Sequence, residues 1–441
     1  MPNVLVNKKK ITSFKKTIMV SGDKSLSIRW LLFASLASGI SKASNLLISE
    51  DVLATINAIR KLGIKVSLNN KECKVFGRGI DGYTYKKNIV IDAKNSGTLA
   101  RLLPGLLINT THGIKMIGDK SLSQRDFKRI ADPLRKFGAN LKLKNKKKLP
   151  MIIIGTKNPK SIKYFETRGS AQCKSSVILA GLRATGSTII KAKKSRNHTE
   201  LLCKHLKIPV SVIRRKKIDI IKVQKVQKFK SFNYKIPSDI SSSAFFIALT
   251  CLIENSSLII KGVNINPSRT GIITILEKMG VRIIYKNQKI YKGEKIADIK
   301  IRSPKQLKAI NCPSKLNTGA IDEFLVIFLI AAKAKGISFF KDLSELNQKE
   351  SPRLKWGSKI LNMMGIKTIT TNDSIKIYGN PNLKINKKII VKNYFKDHRV
   401  FMTSLVAALA FGGNWYIHDK DSIKTSFPDF LKIIKDLKNN A

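Results

Sequence analysis

A local pattern that returns at nearly even intervals restricts the fold of this chain more than any other feature. The end of a predicted helix is followed by a glycine and then by a strand of alternating apolar residues. Glycine suits this position because a helix often ends in a left-handed residue, where a Cβ atom is unfavourable. Such a sequence is common in α/β proteins, but the even spacing favours a true repeat. The pattern centres on five positions that are 69 to 85 residues apart: Gly63, Gly138, Lys207, Gly280 and Gly365. The third copy is weaker and has a lysine in place of the glycine.

With a last predicted helix at 430–437, the pattern indicates six units of similar length, three in each of two domains. Each unit is predicted to alternate helices and strands. In the first unit, apolar periodicity predicts helices over 31–39 and 55–62 and a strand over 64–68. A chain of 441 residues exceeds what one hydrophobic core usually supports, so two large domains are expected. The predicted fold class is α/β.

The net charge of +56 allows two interpretations. A strongly basic chain is typical of proteins that bind nucleic acids. However, the lysines are spread along the whole sequence instead of forming one stripe, and isoleucine and asparagine are abundant too. Compositional drift in an AT-rich genome explains this bias without any partner, so we expect no nucleic-acid partner.

The cysteines and the apolar segments indicate the compartment. The five cysteines are scattered and never spaced C-x-x-C, which argues against a disulfide framework and a structural zinc site. The longest apolar runs, 244–253 and 324–332, reach about half the length of a bilayer span. The N-terminal residues lack the features of a signal peptide. We therefore expect a cytoplasmic protein that does not cross a membrane.

Several predicted helices begin with small or hydroxylated residues beside a cation. Free N–H groups at a helix start, together with a hydroxyl and a cation, favour a phosphate or a carboxylate. Serine and threonine are also ordinary N-caps, so capping explains any single stretch equally well, and only the repetition favours anion binding. The stretches are GDKS (22–25), NSGT (95–98), GSAQCK (169–174) and PSDISS (237–242). In three of them, two residues four positions apart share a helical face: Ser25 with Arg29, Gly97 with Arg101, and Ser170 with Lys174.

The second half of the chain carries three charged clusters at predicted helix starts. They are IDE (321–323), KESPR (349–353) and DHR (397–399), of which the first and last precede apolar helices predicted over 324–334 and 400–410. Lys349 and Arg353 are expected on one helical face. Surface ion pairs, each worth little, are the alternative. The five histidines show no metal-ligand spacing, so no metal site is expected.

Two familiar nucleotide-binding motifs are excluded. GDKS is not a P-loop, because Asp23 stands where that motif needs a glycine before the lysine. The stretch Gly77–Gly82 matches G-x-G-x-x-G, but the residues that follow, 83–92, are predicted to form a strand. Without a helix there, no N-terminus faces a pyrophosphate, so the stretch is predicted to be a turn.

At this point the residues resemble those of the 5-enolpyruvylshikimate-3-phosphate synthase family of enolpyruvyl transferases, from about Thr17 to the C-terminus. The resemblance implies an inside-out α/β barrel of two domains, each built from three βαβαββ units. It also implies an N-terminal lobe over 22–236, a C-terminal lobe of 1–21 and 237–441, and an active site in the cleft between them. The motifs that carry it are GDKSLSIR (22–29), NSGTLAR (95–101), GDKSLSQR (118–125), GSAQCKS (169–175), SRNHTE (195–200), SDISSSAFF (238–246), NPSRTG (266–271), IDE (321–323), KESPR (349–353), DHR (397–399) and TSFPDF (425–430).

The resemblance implies a reaction by addition and elimination. The 5-hydroxyl of shikimate 3-phosphate attacks C2 of phosphoenolpyruvate, and the adduct then expels phosphate. A monomer that needs no metal and no cofactor is implied. The residues implied for shikimate 3-phosphate are Lys24, Ser25, Arg29, Ser170, Ala171, Gln172, Arg196, Asp322 and Lys349. Those implied for phosphoenolpyruvate are Lys24, Gly97, Arg125, Arg353 and Arg399. The implied catalytic residues are Asp322 as base, and Glu350 with Lys349 or Lys24 for the proton at the methylene carbon.

The sequence GDKSLS occurs twice, and the resemblance implies unequal roles for the two copies. The first contributes Lys24, Ser25 and Arg29, whereas the second contributes chiefly Arg125. The chain departs from the family pattern at several positions, and Asp126 is expected to weaken the grip of its neighbour Arg125. The departures are Ser21, Ile28, Asp126, Asn197, Ser238, Leu325, Asn347, Pro352 and Thr425, the last at a site that holds lysine in some members.

Three alternatives stay open. UDP-N-acetylglucosamine enolpyruvyl transferase shares the fold, but it has Lys-Asn in place of Lys24-Ser25 and usually a reactive loop cysteine, for which Cys73 and Cys173 are not placed. A basic nucleic-acid-binding protein would show steeply salt-dependent binding. An inactive scaffold of the same fold would explain the departures. Sensitivity to glyphosate is not determined by these residues.

Overall fold

The computed structural model describes residues 3–110 and 112–438, and these divide into two compact units. The N-terminal unit comprises residues 22–236 and 291–294, and the C-terminal unit comprises the described residues of 1–21, 237–290 and 295–441. Residues 291–294 therefore group with the N-terminal unit, whereas the sequence-based boundaries assign them to the C-terminal lobe. Within the N-terminal unit, Glu294 Oε1 lies 2.7 Å from His198 Nδ1, and both side chains are buried.

The described strands are short, between three and nine residues. They are β1 (Leu5–Asn7), β2 (Lys15–Ile18), β3 (Ser38–Ser44), β4 (Lys65–Asn69), β5 (Glu72–Arg78), β6 (Val90–Asp92), β7 (Ile114–Ile117), β8 (Asn140–Lys144), β9 (Lys148–Ile154), β10 (Lys163–Glu166), β11 (Ser187–Lys193), β12 (Val210–Arg214), β13 (Ile218–Gln224), β14 (Asn233–Lys235), β15 (Ser257–Asn264), β16 (Ile283–Tyr291), β17 (Glu294–Arg302), β18 (Gly336–Phe340), β19 (Thr368–Thr370), β20 (Ile375–Gly379), β21 (Lys388–Val391) and β22 (Asn414–Ile417).

The helices alternate with these strands along the chain. They are α1 (Lys24–Leu36), α2 (Glu50–Lys61), α3 (Gly97–Leu106), α4 (Lys120–Ser123), α5 (Lys128–Lys136), α6 (Ala171–Gly181), α7 (His198–His205), α8 (Ile240–Leu252), α9 (Gly271–Lys278), α10 (Asn317–Ala320), α11 (Phe324–Lys333), α12 (Arg353–Met363), α13 (His398–Phe411) and α14 (Phe430–Lys438), with 3-10 turns at Ser314–Leu316, Ser344–Gln348 and Lys420–Thr425. The architecture is mixed α/β, as predicted.

The strands form six small sheets. In the N-terminal unit their orders are β14-β3-β5-β4, β6-β7-β9-β8 and β10-β11-β13-β12. In each of these the first two strands are parallel and the others antiparallel. The C-terminal unit has the orders β16-β17-β15-β2, β18-β20-β19 and β1-β22-β21, so both N-terminal strands pair within that unit. None of the sheets formed by the described strands closes into a barrel.

The residue that ends each repeated helix is left-handed, as the pattern predicts. The four glycines have φ between +83° and +100°, and Lys207, at the weaker copy, has φ +56°. The predicted helix over 55–62 and strand over 64–68 correspond to α2 and β4. The helix predicted over 31–39 instead begins at Lys24 and ends at Leu36, because the backbone extends into β3 two residues later.

Each unit has its own hydrophobic core, and some helices are buried on nearly all sides. In α1, every residue from Leu26 to Leu36 is buried, and α8, α11 and α13 are similarly enclosed in the C-terminal unit. A helix that is apolar all round must be covered by other elements. Within the described part of the chain, no helix combines the length and the hydropathy needed to cross a bilayer.

Candidate functional site

Polar side chains gather at the helix starts of the N-terminal unit, beginning with α1. The carboxylate of Asp23 caps this helix by accepting a hydrogen bond from the N–H of Leu26 at 2.8 Å. Next to it, Lys24 Nζ lies 2.9 Å from Asp51 Oδ2, at the first turn of α2. The side chain of Lys24 is 21% exposed, so its ammonium is held in place and still reaches solvent.

Arg29 lies one turn further along α1 and is buried. Its guanidinium donates to Thr199 Oγ1 at 2.9 Å, to Ser175 Oγ at 3.3 Å and to the carbonyl oxygen of Ser25 at 3.1 Å. The last contact confirms that Ser25 and Arg29 share a helical face. Because Thr199 and Ser175 also bond each other at 2.8 Å, Arg29 connects the helices α1, α6 and α7.

Arg101, on α3, fixes the side chain of Gln172. Its NH1 donates to Gln172 Oε1 at 2.9 Å, and the Gln172 amide donates to Thr98 Oγ1 at 3.1 Å. The guanidinium also lies over the Phe127 ring, 5.3 Å from its centroid. Gln172 is thus held in one orientation beside the start of α3.

Gly97, the first residue of α3, leaves room for two guanidinium groups. A Cβ added there would lie 2.7 Å from Arg101 NH1 and 3.0 Å from Arg125 NH1, so the Arg101 guanidinium would have to shift. Arg125 NH2 also donates to Asn95 Oδ1 at 3.3 Å. The structure therefore brings Gly97, Arg125 and Gln172 of the predicted site into one neighbourhood, and it adds Arg101, which the sequence marked only by its i, i+4 spacing.

The two GDKSLS copies both open a helix, but they have different surroundings. Asp119 caps α4 by accepting from the N–H of Leu122 at 2.7 Å, as Asp23 caps α1. Lys120, however, is exposed, unlike its counterpart Lys24. The carboxylate of Asp126 accepts from the N–H of Lys128 at 2.8 Å and so contributes to the start of α5.

The start of α6 is built as the sequence predicts, except at Lys174. Ser170 caps the helix through Oγ, which accepts from Cys173 N at 3.3 Å, and its own N–H donates to buried Glu166 at 2.9 Å. Lys174 does not face a ligand. Its side chain is fully buried, with Nζ 2.7 Å from Glu200 Oε1 of α7. The prediction that Lys174 contributes a cation to an anion site is therefore wrong, because its charge is used inside the protein.

Other predicted residues of this unit lie at the same helix ends. Ala171 is the first residue of α6, and Arg196 lies two residues before α7 and is half-buried. Cys73 and Cys173 are both buried. Burial raises the pKa of the Cys73 thiol to about 12 and raises that of Cys173 above its ordinary value. Neither thiol is therefore ionised at neutral pH, which argues against a reactive cysteine.

In the C-terminal unit the polar residues gather around Arg353, the first residue of α12. Its guanidinium contacts three carboxylates: Asp397 through Nε at 2.9 Å, Asp322 through NH1 at 3.3 Å, and Glu350 through NH2. Burial by itself lowers the pKa of Arg353, but these carboxylates outweigh it and raise the pKa above its usual value. Burial likewise raises the pKa of Asp397, but Arg353 more than compensates and holds it below the ordinary range.

Asp322 is the point at which three cations of this cluster meet. Lys349 Nζ and Arg353 NH1 each lie 3.3 Å from Asp322 Oδ1, and Arg399 NH1 donates to the backbone oxygen of Asp322 at 2.8 Å. Lys349 and Arg353 do not share a helical face as predicted, because Lys349 has an extended backbone and α12 begins only at Arg353. They converge through Asp322 instead. The Asp322 side chain is 15% exposed, so this anion remains accessible.

Position 425, where some family members have a lysine, and the preceding Lys424 have different surroundings. Thr425, where some family members have lysine, lies 3.2 Å from His398 Nδ1 and donates to the carbonyl of Ser422 at 2.8 Å. Lys424 pairs with Asp421 at 2.9 Å, and both side chains are more than half exposed. Lys424 therefore does not take the place of the missing lysine.

A second buried network lies directly behind Asp322, and the sequence analysis missed it. Glu323 Oε1 accepts a hydrogen bond from the Ser241 hydroxyl at the start of α8, and Arg269 NH2 donates to Ser241 Oγ at 2.7 Å. The same guanidinium lies 3.2 Å from Asp239, the N-cap of α8. The motif PSDISS thus binds a carboxylate, but the carboxylate belongs to this chain. The signal was present in the acidic pair 322–323, since Asp322 contacts Arg353 and Glu323 contacts Ser241.

Across residues 3–110 and 112–438, no three or more histidine, cysteine or acidic side chains come together as metal ligands would. The site described here consists of cations, carboxylates, hydroxyls and helix N-termini. Its chemistry is that of binding anions and transferring protons.

Comparison with known proteins gives one consistent result. A family model described as EPSP synthase (3-phosphoshikimate 1-carboxyvinyltransferase) matches residues 8–434. The 3-phosphoshikimate 1-carboxyvinyltransferase of Ruthia magnifica subsp. Calyptogena magnifica is 38% identical over 434 residues, which cover 98% of this chain and 97% of that protein. The protein of the same name from Thermodesulfovibrio yellowstonii is 36% identical over 433 residues, 98% and 99% of the two chains.

Solved structures agree. EPSP synthase from Acinetobacter baumannii superposes with a TM-score of 0.87 at 34% identity, over 99% of this chain and 98% of that one. The enolpyruvyl transferase NikO from Streptomyces tendae gives a TM-score of 0.76 at 14% identity, over 99% and 97% of the two chains. The second likeness concerns the fold alone.

Proposed function

Because this chain belongs to the EPSP synthase (3-phosphoshikimate 1-carboxyvinyltransferase) family, we propose that its two polar clusters act on one pair of substrates. The reaction of the family transfers the enolpyruvyl group of phosphoenolpyruvate to the 5-hydroxyl of shikimate 3-phosphate and releases phosphate, a step of the shikimate pathway. The observation that carries the proposal is Asp322, an accessible carboxylate held by Lys349, Arg353 and Arg399.

Electrostatics explains why both clusters are needed. Two unit charges about 4 Å apart repel by about 4 kcal/mol at an effective dielectric constant near 20, and both substrates are multiply anionic. We propose that Lys24, Gly97, Arg125, Arg353 and Arg399 bind phosphoenolpyruvate, since arginine suits phosphate and carboxylate equally well. The residues proposed for shikimate 3-phosphate are Lys24, Ser25, Arg29, Ser170, Ala171, Gln172, Arg196, Asp322 and Lys349.

Proton transfer is assigned to the C-terminal cluster, with Lys24 of the N-terminal unit as an alternative donor. Asp322 removes the proton of the 5-hydroxyl, since its carboxylate remains accessible and lies among the cations proposed to bind the substrates. Glu350 and Lys349, or Lys24, deliver and remove the proton at the methylene carbon. The contact with Arg353 holds the Glu350 carboxylate in this cluster, where it can exchange a proton with the substrate.

We also propose the remaining features that family membership implies. The six sheets, three of which share one strand order, correspond to six βαβαββ units of an inside-out barrel. Residues of both units act on the same substrates, and the site excludes water during the reaction. The protein acts as a cytoplasmic monomer, no step calls on a metal or a cofactor, and no nucleic acid takes part.

The test measures the phosphate that is released when the purified protein is given shikimate 3-phosphate and phosphoenolpyruvate. Lys24→Met and Asp322→Ala should each lower the rate by about 10²-fold or more, the usual cost of removing a preorganised charged group from a transition state. The matched control is Lys120→Met in the second GDKSLS copy, which should keep the wild-type rate. A wild-type protein without turnover, or a Lys120→Met variant as impaired as Lys24→Met, would refute the proposal.

A further inference from the structure

The acidic pair Asp322-Glu323 has one member at the proposed active site and one in the interior of the C-terminal unit. Glu323 is 1% exposed, whereas the Asp322 side chain is 15% exposed. The two residues are joined by one peptide unit just before α11, and the carbonyl of Glu323 accepts the hydrogen bonds of Val326 N and Ile327 N, both at 3.1 Å. Any shift of Glu323 therefore moves Asp322.

The contacts of Glu323 fix it to two other elements. Ser241, in the first turn of α8, donates its hydroxyl to Glu323 Oε1. Arg269 NH2 donates to that same hydroxyl oxygen at 2.7 Å and lies 3.2 Å from Asp239, and the Arg269 side chain is 2% exposed. Because the Ser241 oxygen accepts a hydrogen bond from this guanidinium, its hydroxyl hydrogen is directed towards Glu323 Oε1.

Arg269 is itself held by a tight turn. Asn266 N donates to Asn264 Oδ1 at 2.8 Å, Ser268 N donates to Asn266 Oδ1 at 2.9 Å, and Arg269 N donates to the backbone oxygen of Asn266 at 2.8 Å. The guanidinium therefore approaches Ser241 from a fixed backbone. Buried polar groups that bond one another hold their surroundings in one arrangement.

We propose that Arg269, Ser241 and Glu323 are positioning residues, which hold the carboxylate of Asp322 where it can act as the base. This inference rests on the proposed function, since it takes that role of Asp322 as given. Arg399 holds the same residue from the other side through its backbone oxygen. Asp322 is therefore fixed by its own carbonyl and by its neighbour's side chain, and its carboxylate remains exposed to substrate.

The experiment compares two serines of α8. Ser241→Ala removes the hydrogen bond to Glu323, whereas Ser243→Ala removes a buried hydroxyl that donates to the backbone carbonyl of Asp239 at 2.9 Å. A displacement of about 1 Å at a reacting group costs up to about 10²-fold. We expect kcat of Ser241→Ala to fall by about tenfold or more, with the affinity for shikimate 3-phosphate alone, measured by calorimetry, changed by less than about threefold. Ser243→Ala should keep kcat.

Ser241→Thr keeps a hydroxyl and should recover most of kcat. If Ser241→Ala does not fold, Ser241→Cys, which is similar in volume and a weak donor, gives the same comparison. An unchanged kcat in the folded alanine or cysteine variant overturns the inference, as does an equal loss in Ser243→Ala or an equal loss of kcat and affinity. A wild type without turnover refutes the proposed function itself, so the two failures are distinguishable.

Discussion

The buried pair of Lys174 and Glu200 gives a prediction about stability. The Lys174 side chain is fully buried, the Glu200 side chain is 5% exposed, and Nζ lies 2.7 Å from Oε1. Within the described part of the chain, Glu200 Oε2 accepts no hydrogen bond. The protein therefore does not supply every hydrogen bond that the pair could make. A buried ion pair of this kind adds little to stability compared with two apolar side chains of similar volume.

Removing one partner is different, because it leaves an uncompensated charge in the core. Lys174→Met should lower the free energy of unfolding of the N-terminal unit by about 3–5 kcal/mol, the usual cost of breaking a buried ion pair. With a urea dependence of about 2–3 kcal/mol per molar, this moves the unfolding midpoint by about 1–2 M. The double variant Lys174→Met, Glu200→Leu should recover most of the loss, since neither charge remains.

The assay is urea unfolding followed by tryptophan fluorescence. Trp30 belongs to the N-terminal unit, while Trp356 and Trp415 belong to the other. A background with phenylalanine at 356 and 415 therefore reports the N-terminal unit alone. A loss below about 1 kcal/mol in Lys174→Met, or a double variant as unstable as the single one, would refute the reasoning and would restore Lys174 as a candidate for ligand binding.

Three further predictions follow from single positions. Gly97→Ala should raise the KM for phosphoenolpyruvate by about tenfold in steady-state kinetics, because the methyl group would displace Arg101 and crowd Arg125, and so weaken a charge-assisted hydrogen bond. An unchanged KM would contradict this. The pKa of Asp397 is lowered in the folded state, so its contribution to stability is present above about pH 4 and is lost as the pH falls. Asp397→Asn should therefore be less stable than wild type in urea at pH 7, and the difference should narrow below pH 4. Gly365→Ala should lower the free energy of unfolding by about 1 kcal/mol, the cost of its left-handed backbone alone. Gly63→Ala should lower it further in urea unfolding, because its methyl group would also clash with Thr84. Equal losses in the two variants would refute the clash.

The parts of the fold that the sequence predicts well are those set by local chemistry. The left-handed residue after each repeated helix is one example, and it holds even at Lys207. Helix starts are another, since Asp23 and Ser170 cap the helices that follow them. Such features depend on a few neighbouring residues, and so a pattern of neighbours is enough to find them.

Two errors had a local cause that the sequence contains. A helix through Lys349 and Arg353 is excluded by Pro352, because the residue before a proline avoids the helical region. The strand predicted over 83–92 is limited to Val90–Asp92, and Asn88, with φ +59°, interrupts an extended backbone. In both cases the prediction relied on the spacing of apolar or charged residues and overlooked the residue that interrupts the helix or strand.

The remaining error and the missed residues depend on contacts distant in sequence. Lys174 was expected to face a ligand, but Glu200 lies 2.7 Å from it and 26 positions away in the chain. Glu323 and Arg269 meet through Ser241 in the same way. Such contacts depend on how distant segments pack together, which a local pattern of residues does not show.

The difference between buried and exposed cations explains why the large net charge says little about the site. Of the 84 lysines and arginines, 17 are arginines. Yet among the described residues, the buried cations are four arginines and one lysine: Arg29, Arg183, Arg269, Arg353 and Lys174. Lysine is strongly hydrated and is favoured where solvent reaches it, whereas the planar guanidinium satisfies several acceptors at once and is the better cation to bury. The surplus of positive charge is thus mainly lysine on the surface, and the clusters proposed to bind the substrates depend on a small number of arginines that composition alone does not single out.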